Sequence, residues 1–184
     1  MASFGFDEDD PDRHAFNEGT QGTQHPWSDK RERYDDYLVV SVVRNPWDRF
    51  ISGWRYCAST KDRPLLDVLE NPPQDGHDYR HLTRPQHTIL CDETGTLVTD
   101  VLLRFETLQR DYDDLCERIG KPRATLPRLS VSGREGYRQF YDDRTRELVA
   151  VRYARDVELF GYAFEERQPQ RESLWGRARR FISG

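Results

Sequence analysis

Lysine is scarce in this chain. Only Lys30, Lys61 and Lys121 are lysines, so 25 of the 28 basic residues are arginines. The planar arginine guanidinium forms paired hydrogen bonds with phosphate or sulfate oxygens, which a lysine ammonium cannot do. The net charge of -5 argues against a general nucleic-acid-binding protein, because such proteins need a basic surface that releases counterions from the phosphate backbone. We therefore expect no nucleic-acid partner, and an anion site that is a local pocket.

Cysteine is also rare and is not arranged for a metal. Cys57, Cys91 and Cys116 lie far apart, without the paired spacing of a zinc site or a redox dithiol, so we interpret them as reduced thiols and predict no metal. A continuous apolar run of membrane-spanning length is lacking, and the acidic N-terminus does not have the basic-then-apolar order of a signal peptide. The sequence predicts a soluble, cytoplasmic protein with no transmembrane segment.

Three regions follow from the composition. Residues 1–33 are rich in Asp, Gly, Gln and Thr without an apolar period and are interpreted as an irregular lead-in. Residues 34–165 form the predicted domain. Residues 166–184 form a basic tail whose end is amphipathic; it is either a frayed surface helix or a weak contact with an anionic membrane surface.

The apolar pattern of the predicted domain is typical of an α/β protein. Residues 37–43 are a β-branched run that predicts a parallel strand buried on both faces. The run ends at Arg44-Asn45-Pro46, after which a helix with Phe50 and Ile51 on its apolar face can begin. The chain then predicts, in order, a helix over 65–69, a long loop to about 84, strands over 87–91 and 97–105, and helices over 107–119 and 137–160.

The candidate site lies where the first strand ends. In open α/β sheets, ligands bind beyond the carboxyl ends of the strands, which is where Arg44 stands. Ser52 lies just over one turn into the following helix, so its hydroxyl and the Arg44 guanidinium can converge on one phosphate group. The alternative is that Arg44 pairs with Asp48 to staple the turn, while Ser52 is merely a small residue facing a neighbouring element.

The segment around these residues, VRNPWDRFIS over 43–52, resembles the 3′-phosphate-binding motif of carbohydrate sulfotransferases, a family that includes the heparan and chondroitin sulfotransferases. The resemblance continues, in the family's order, through RPQ at 84–86, LRFETL at 103–108, LPRLSVS at 126–132 and YARDVELFGY at 153–162. It implies a P-loop-kinase-like three-layer sandwich with a central parallel sheet. It also implies transfer of a sulfuryl group from 3′-phosphoadenosine 5′-phosphosulfate (PAPS) to a hydroxyl, with a carbohydrate as the expected acceptor and no metal.

One part of the family pattern is not found. Relatives have a Pro-Lys-Thr-Gly-Gly-Thr-Ser-like loop that holds the 5′-phosphosulfate, whereas the nearest segment here, residues 19–23, has no lysine and no preceding apolar strand. We expect an N-terminally truncated sandwich, and little turnover without the donors that this loop supplies. The alternative is a natural loss, giving a catalytically inactive nucleotide- or glycan-binding protein. A P-loop kinase is disfavoured because no Gly-x-x-x-x-Gly-Lys-Ser/Thr run is present.

The resemblance also suggests roles near the donor. His25 stands where similar sulfotransferases often have a histidine that acts as the base, although a solvated loop histidine fits equally well. Ser132 and Arg134 occupy the loop that in relatives returns to the nucleotide, so they are expected to contact PAPS; a simple turn is the alternative.

Acceptor contacts are expected from the long loop before the second strand. His77 and His81 belong to this loop, and Gln86 matches a recurring family position, although a glutamine at that place can also hold loops together. His87 begins a predicted strand and is interpreted as structural.

Overall fold

The computed structural model describes residues 37–127 and 136–165. Two strands, seven α-helices and a π-helix are assigned here, with 3-10 turns at Phe105–Thr107 and Tyr137–Phe140. In chain order they are β1 Val40–Val43, α1 Pro46–Tyr56, α2 Leu65–Glu70, α3 Gly76–Asp78, the π-helix Tyr79–Thr83, α4 His87–Leu90, β2 Val101–Arg104, α5 Leu108–Arg118, α6 Asp143–Arg152 and α7 Ala154–Phe160.

The two strands form a small parallel sheet. Val40 pairs with Val101 and Val43 pairs with Arg104. Parallel strands need a crossover connection, and the segment from α1 to α4 supplies it. Because parallel strands end at the same edge, Arg44 and Arg104 lie at one carboxyl edge of the sheet. The predicted α/β class is therefore confirmed, whereas the division into regions 1–33, 34–165 and 166–184 stays a prediction.

Helices cover both faces of β2. On one face, Leu102 and Val43 pack with Leu90 of α4 and Phe160 of α7. On the other face, Val101 and Leu103 pack against Leu115 of α5. The sheet therefore lies between two helical layers at β2.

The prediction that the first strand is buried on both faces was wrong. Val43 is fully buried, but Val40 and Val42 are 38% and 48% exposed. These two valines pair with Val101 and Leu103, on the face that α5 covers. Within the described residues, α5 covers that face of β2 without also burying the valines of β1.

The largest apolar cluster lies beside the sheet. Phe50 and Ile51 of α1 pack there with Val68 of α2, Leu82 of the π-helix and Val149 of α6. The predicted apolar face of α1 is thus confirmed, and it fixes the direction in which the helix leaves the sheet edge. Among residues 37–127 and 136–165, no helix is long and apolar enough to span a bilayer.

The predicted strand over 87–91 is instead the short helix α4, so His87 begins a helix. The carboxylate of Asp156 accepts hydrogen bonds from the backbone N–H groups of Gln86, at 2.7 Å, and His87, at 2.8 Å. These are N–H groups that a helix start leaves without partners inside the helix. The cap comes from α7, so no local sequence pattern could indicate it.

The predicted helix over 137–160 is interrupted twice. Asp142 accepts a hydrogen bond from the backbone N–H of Thr145, whose hydroxyl in turn accepts one from the Asp142 N–H, and this capping box begins α6. Tyr153, with φ -112° and ψ 26°, separates α6 from α7. Gly161 has φ 64° and ends α7 in the left-handed conformation that glycine adopts readily.

The segment over 71–84 was predicted as a loop, but it contains two helical pieces. Gly76, with φ 67°, begins α3, and the π-helix follows directly. π-helices are rare in proteins, and many of those that occur lie at functional sites. His77 and His81 therefore stand on helical backbone.

Candidate functional site

The backbone of Arg44 is held on both sides by one glutamine. Its N–H donates to Oε1 of Gln86 at 2.9 Å, and its carbonyl oxygen accepts from Nε2 of the same amide at 2.9 Å. A planar amide that makes both bonds fixes the position and the direction of the chain at the end of β1. Gln86 therefore positions Arg44, and an acceptor contact by the same amide stays a prediction.

The side chain of Arg44 is held by a carboxylate and an aromatic ring. Nε donates to Oδ2 of Asp48 at 2.6 Å, and the guanidinium carbon lies 4.2 Å from the centre of the Phe105 ring. Arg44 and Asp48 are 17% and 24% exposed, so the pair is neither sealed nor fully solvated. Within the described residues, the two terminal nitrogens of Arg44 make no hydrogen bond, which leaves them available for an anion.

Ser52 lies one turn beyond Asp48 on the same face of α1. Residues four apart along a helix are neighbours, about 6 Å apart along the axis. The Arg44–Asp48 pair that was the alternative interpretation is therefore present, and Asp48 stands between the arginine and the serine. Ser52 is half-buried, and none of the contacts among the described residues occupies its hydroxyl.

The turn that follows Arg44 is fastened to the other strand. Asn45 caps α1 by accepting from the Trp47 N–H at 3.0 Å, and its own N–H donates to Oε1 of Glu106 at 2.6 Å. The other oxygen of Glu106 accepts from the Tyr162 hydroxyl at 3.1 Å. Burial, together with this carboxylate, raises the pKa of Tyr162, so the phenol stays a donor. Glu106 thus supports the start of α1.

Arg104 is the second cation at this edge. One terminal nitrogen donates to the Phe160 carbonyl at 2.6 Å, and the guanidinium carbon lies 4.8 Å from the centre of the Tyr162 ring. The other terminal nitrogen is buried and has no hydrogen-bond partner in the described part of the chain. The carboxyl edge therefore carries two arginines, each flat against an aromatic ring.

The half-buried ring of His87 pairs with the fully buried carboxylate of Asp156, next to Gln86. Nδ1 of His87 lies 2.6 Å from an oxygen of Asp156, whose side chain is 0% exposed. Asp156 thus holds the backbone of Gln86, the backbone of His87 and the ring of His87 together. The structural interpretation of His87 agrees with these contacts, although its predicted strand does not exist.

His77 and His81 lie together at the far end of α1. Their rings are 4.1 Å apart, and the Tyr56 ring lies about 6 Å from each, at 6.1 Å and 6.0 Å. Burial lowers the pKa of His81, and the nearby His77 lowers it further. The His81 ring is therefore neutral over a wider range of pH. These two predicted acceptor residues share one place in the fold.

A cleft of about 510 Å³ opens beside this place. Its lining is mixed: Pro72 and Pro73 contribute apolar surface, and the polar groups come from Ser59, Arg63, Asn71, Asp75, His77 and Asp78. Polar groups set in a partly apolar cleft are typical of sites for small ligands.

Three predicted site residues fall elsewhere. His25, Ser132 and Arg134 lie outside the described residues, as do the glycine-containing segment 19–23 and the basic tail. The structure therefore pairs Arg44 with Asp48 at the start of α1, places Ser52 one turn beyond Asp48, and brings His77 and His81 together at the other end of α1.

Two residues that sequence reasoning passed over contribute to the site. Asp156 accepts a hydrogen bond from the backbone N–H of Gln86. Arg49 lies near Arg44, and burial lowers the pKa of Arg49. Arg49 follows directly after Asp48 in the segment that resembles the family motif, so its position was an available signal. Asp156 also lies in a segment that resembles the family, residues 153–162, but its partners are about 70 residues away, so the sequence did not show its role.

Comparison with known proteins agrees with this geometry. The model of the Sulfotransferase family matches residues 7–163, which include both strands and every described residue of the site. An uncharacterized protein from Archaeoglobus fulgidus is 26% identical over 109 residues, which cover 59% of this chain and 89% of that protein. No solved structure matches the chain. The match covers most of the chain and includes Arg44, which stands at the end of the first strand. The chain belongs to the sulfotransferase family.

Proposed function

We propose that this chain transfers a sulfuryl group from PAPS to a carbohydrate hydroxyl, on a P-loop-kinase-like three-layer sandwich of which β1, β2 and their helices are a part. The observation that carries the proposal is Arg44. Its backbone and Nε are fixed, while its two terminal nitrogens have no partner among the described residues. A guanidinium that is held in place and has two unbonded terminal nitrogens can form paired hydrogen bonds with a dianionic phosphate.

In this proposal, Arg44 and Ser52 bind the 3′-phosphate of the nucleotide. Asp48 accepts from Nε and so leaves the two terminal nitrogens for the anion, and Gln86 fixes the backbone of Arg44. The Ser52 hydroxyl supplies a neutral donor one turn further along α1. Ser132 and Arg134 are assigned further contacts with the nucleotide on the family resemblance.

The acceptor side is assigned to the cleft beside α3. His77 lines this cleft, the His81 ring lies 4.1 Å from the His77 ring, and the polar groups of the lining suit the hydroxyl groups of a sugar. The acceptor oxygen attacks sulfur, the bond from sulfur to the nucleotide phosphate oxygen breaks, and the acceptor proton passes to a base. His25 is proposed as that base on the family resemblance, and Gln86 is proposed to serve the donor side by placing Arg44.

The binding step is tested by calorimetry with 3′,5′-ADP, the desulfated product of the donor. We expect binding by the whole chain, with affinity reduced about 10- to 100-fold in Arg44→Ala, since a hydrogen bond to a charged group contributes about 1.5–3 kcal/mol. Arg55→Ala is the matched control, because Arg55 is an exposed arginine in the last turn of the same helix. With 5′-AMP, which has no 3′-phosphate, both variants should bind as the parent does.

Equal loss of 3′,5′-ADP binding in Arg44→Ala and Arg55→Ala would remove the basis of the proposal. Transfer is then measured with labelled PAPS and a panel of glycans.

Binding without transfer would support the second candidate, a sulfotransferase-like protein that binds a nucleotide or glycan without catalysis. The absence of a lysine from residues 19–23 favours that candidate, since this is the nearest segment to a 5′-phosphosulfate loop.

A further inference from the structure

Three side chains of different chemistry converge beyond the end of α1. They are the thiol of Cys57, the imidazole of His77 and the carboxylate of Asp78. One donor atom from each lies within 4.8 Å of the other two. These residues are not used by the proposed anion site, because Arg44 precedes α1 and Ser52 lies five residues before Cys57, about 7–8 Å along the helix axis.

The donor set is that of a borderline-soft divalent cation. Sulfur, imidazole nitrogen and carboxylate oxygen all bind zinc, at about 2.0–2.3 Å. For tetrahedral bonds of that length, the donor atoms of neighbouring ligands stand about 3.3–3.8 Å apart. Against the limit of 4.8 Å, the adjustment needed is at most about 1–1.5 Å, which rotation about side-chain bonds supplies.

The backbone already holds two of the three ligands in place. The N–H of Cys57 donates to the Gly53 carbonyl at 2.8 Å, which ends α1 and sets the cysteine where the helix stops. The carboxylate of Asp78 accepts from the Ser59 N–H at 3.1 Å and from the Ser59 hydroxyl. Outer hydrogen bonds of this kind orient carboxylate ligands at metal sites.

The site has a route for entry. His77 and Asp78 line the cleft beside α3, whereas Cys57 is 1% exposed behind them. A cation entering from the cleft meets nitrogen and oxygen first and sulfur last. The fourth position of a tetrahedral site then faces the cleft, where water can fill it.

We propose that Cys57, His77 and Asp78 bind a divalent cation of the zinc class. Cys57 binds as the thiolate and releases its proton to solvent, and the cation replaces the contacts that the three side chains now make with one another. The bound ion ties the end of α1 to α3, and so fixes the π-helix that carries His81. His77 then serves as a ligand, which leaves His81 for the acceptor contact.

The test uses the full chain, freed of metal, with Co²⁺ as a spectroscopic probe and Zn²⁺ in competition with a chromophoric chelator. We expect one equivalent of Co²⁺ to give a thiolate-to-cobalt charge-transfer band and the intense visible bands of tetrahedral cobalt. Cys57→Ser should abolish the charge-transfer band. His77→Ala and Asp78→Asn should each weaken Zn²⁺ binding by at least roughly tenfold, because loss of even an outer-shell partner costs that much.

Matched controls separate this site from other cysteines and histidines. Cys91→Ser and Cys116→Ser replace the two other buried cysteines and should keep the band. A His14→Ala, His25→Ala double variant should keep the stoichiometry. Far-ultraviolet circular dichroism confirms that each variant is folded, and Asp78→Asn, which preserves side-chain shape, decides the outcome should Cys57→Ser unfold. A parent chain without the charge-transfer band, or a folded Asp78→Asn variant with parental Zn²⁺ affinity, would overturn the proposal.

Discussion

Gln86 shows how one side chain can determine the position of another. Both polar atoms of its amide bond to the backbone of Arg44, and its own backbone N–H bonds to Asp156. An unmade hydrogen bond at a buried polar group costs about 1–3 kcal/mol. The placement of the Arg44 guanidinium therefore depends on a residue that never touches the anion.

Replacing Gln86 by leucine tests that dependence. Gln86→Leu keeps the side-chain size but leaves the N–H and carbonyl of Arg44 without their partner, so the free energy of unfolding should fall by about 1–3 kcal/mol. Affinity for 3′,5′-ADP should fall as well, because the Arg44 backbone is released. Urea denaturation and calorimetry measure the two effects.

Gln139→Leu is the control for this change. Its amide is exposed and, among the described residues, donates to the Gly136 carbonyl alone. The free energy of unfolding should therefore change by no more than about 0.5 kcal/mol in this variant. Parental nucleotide affinity in a folded Gln86→Leu variant would contradict the positioning role.

Part of this site was predictable at the residue scale. Arg44 at a strand end and Ser52 one turn into a helix followed from the apolar run, the proline and the family resemblance. The sequence could not decide between an anion and Asp48 as the partner of Arg44, because both lie within reach of one flexible side chain. In the structure, Nε of Arg44 donates to Asp48, while the two terminal nitrogens have no partner among the described residues. Arg44 can therefore hold Asp48 and an anion together.

Among the elements, the contact of α1 with the π-helix decides where His81 lies. Gly53 makes this contact possible: a Cβ there would lie 2.9 Å from Cδ1 of Leu82, 3.1 Å from its Cα and 3.3 Å from the His81 carbonyl oxygen. A leucine methyl can rotate away, but the backbone of the π-helix cannot. The two elements are therefore packed more closely than a residue with a Cβ would allow.

Gly53→Ala should consequently destabilise the protein, although alanine is the better helix former by about 1 kcal/mol. Overpacking against fixed backbone costs about 1–3 kcal/mol, so the net loss should be of the order of 1 kcal/mol. Urea denaturation measures the loss, and a shift of the His81 ring signals in NMR spectra reports the displaced π-helix.

Gly136→Ala is the matched control, since a Cβ at Gly136 meets nothing within 4 Å and its φ of -58° suits alanine. A gain in stability in Gly53→Ala, with unmoved His81 signals, would show that the contact yields more easily than its distances indicate.

At the scale of the whole molecule, Tyr153 joins the C-terminal helices to the centre. It is almost fully buried between α6 and α7, and its hydroxyl donates to the Leu82 carbonyl at 3.0 Å, 71 residues away in the chain. Burial raises the pKa of Tyr153 from 10.0 to about 12. The folded protein therefore keeps this proton at pH values where the unfolded chain has lost it.

The sign of the pH dependence follows. Below pH 10 both states hold the proton, and between about pH 10 and 12 only the folded state does, so stability falls with rising pH over that range. A shift of this size corresponds to about 2–3 kcal/mol. Tyr153→Phe should be less stable at neutral pH, by about 1 kcal/mol for the lost hydrogen bond, but should decline less steeply in alkali.

Urea denaturation at several pH values measures this decline. Tyr56→Phe is the control, because Tyr56 is 69% exposed, and it should decline as the parent does. Equal slopes in all three proteins would show that the Tyr153 phenol does not resist ionisation.

The sequence by itself determined the α/β class, the first apolar strand, the start and the apolar face of α1, and the likeness to sulfotransferases. These features depend on neighbouring residues, whose periodicity and turn chemistry act over a few positions. Tertiary structure alone decided that Asp156 caps α4, that Gln86 holds Arg44, and that Cys57 meets His77 and Asp78. The physical reason is distance along the chain: partners such as Gln86 and Asp156, 70 residues apart, meet only when the layers pack.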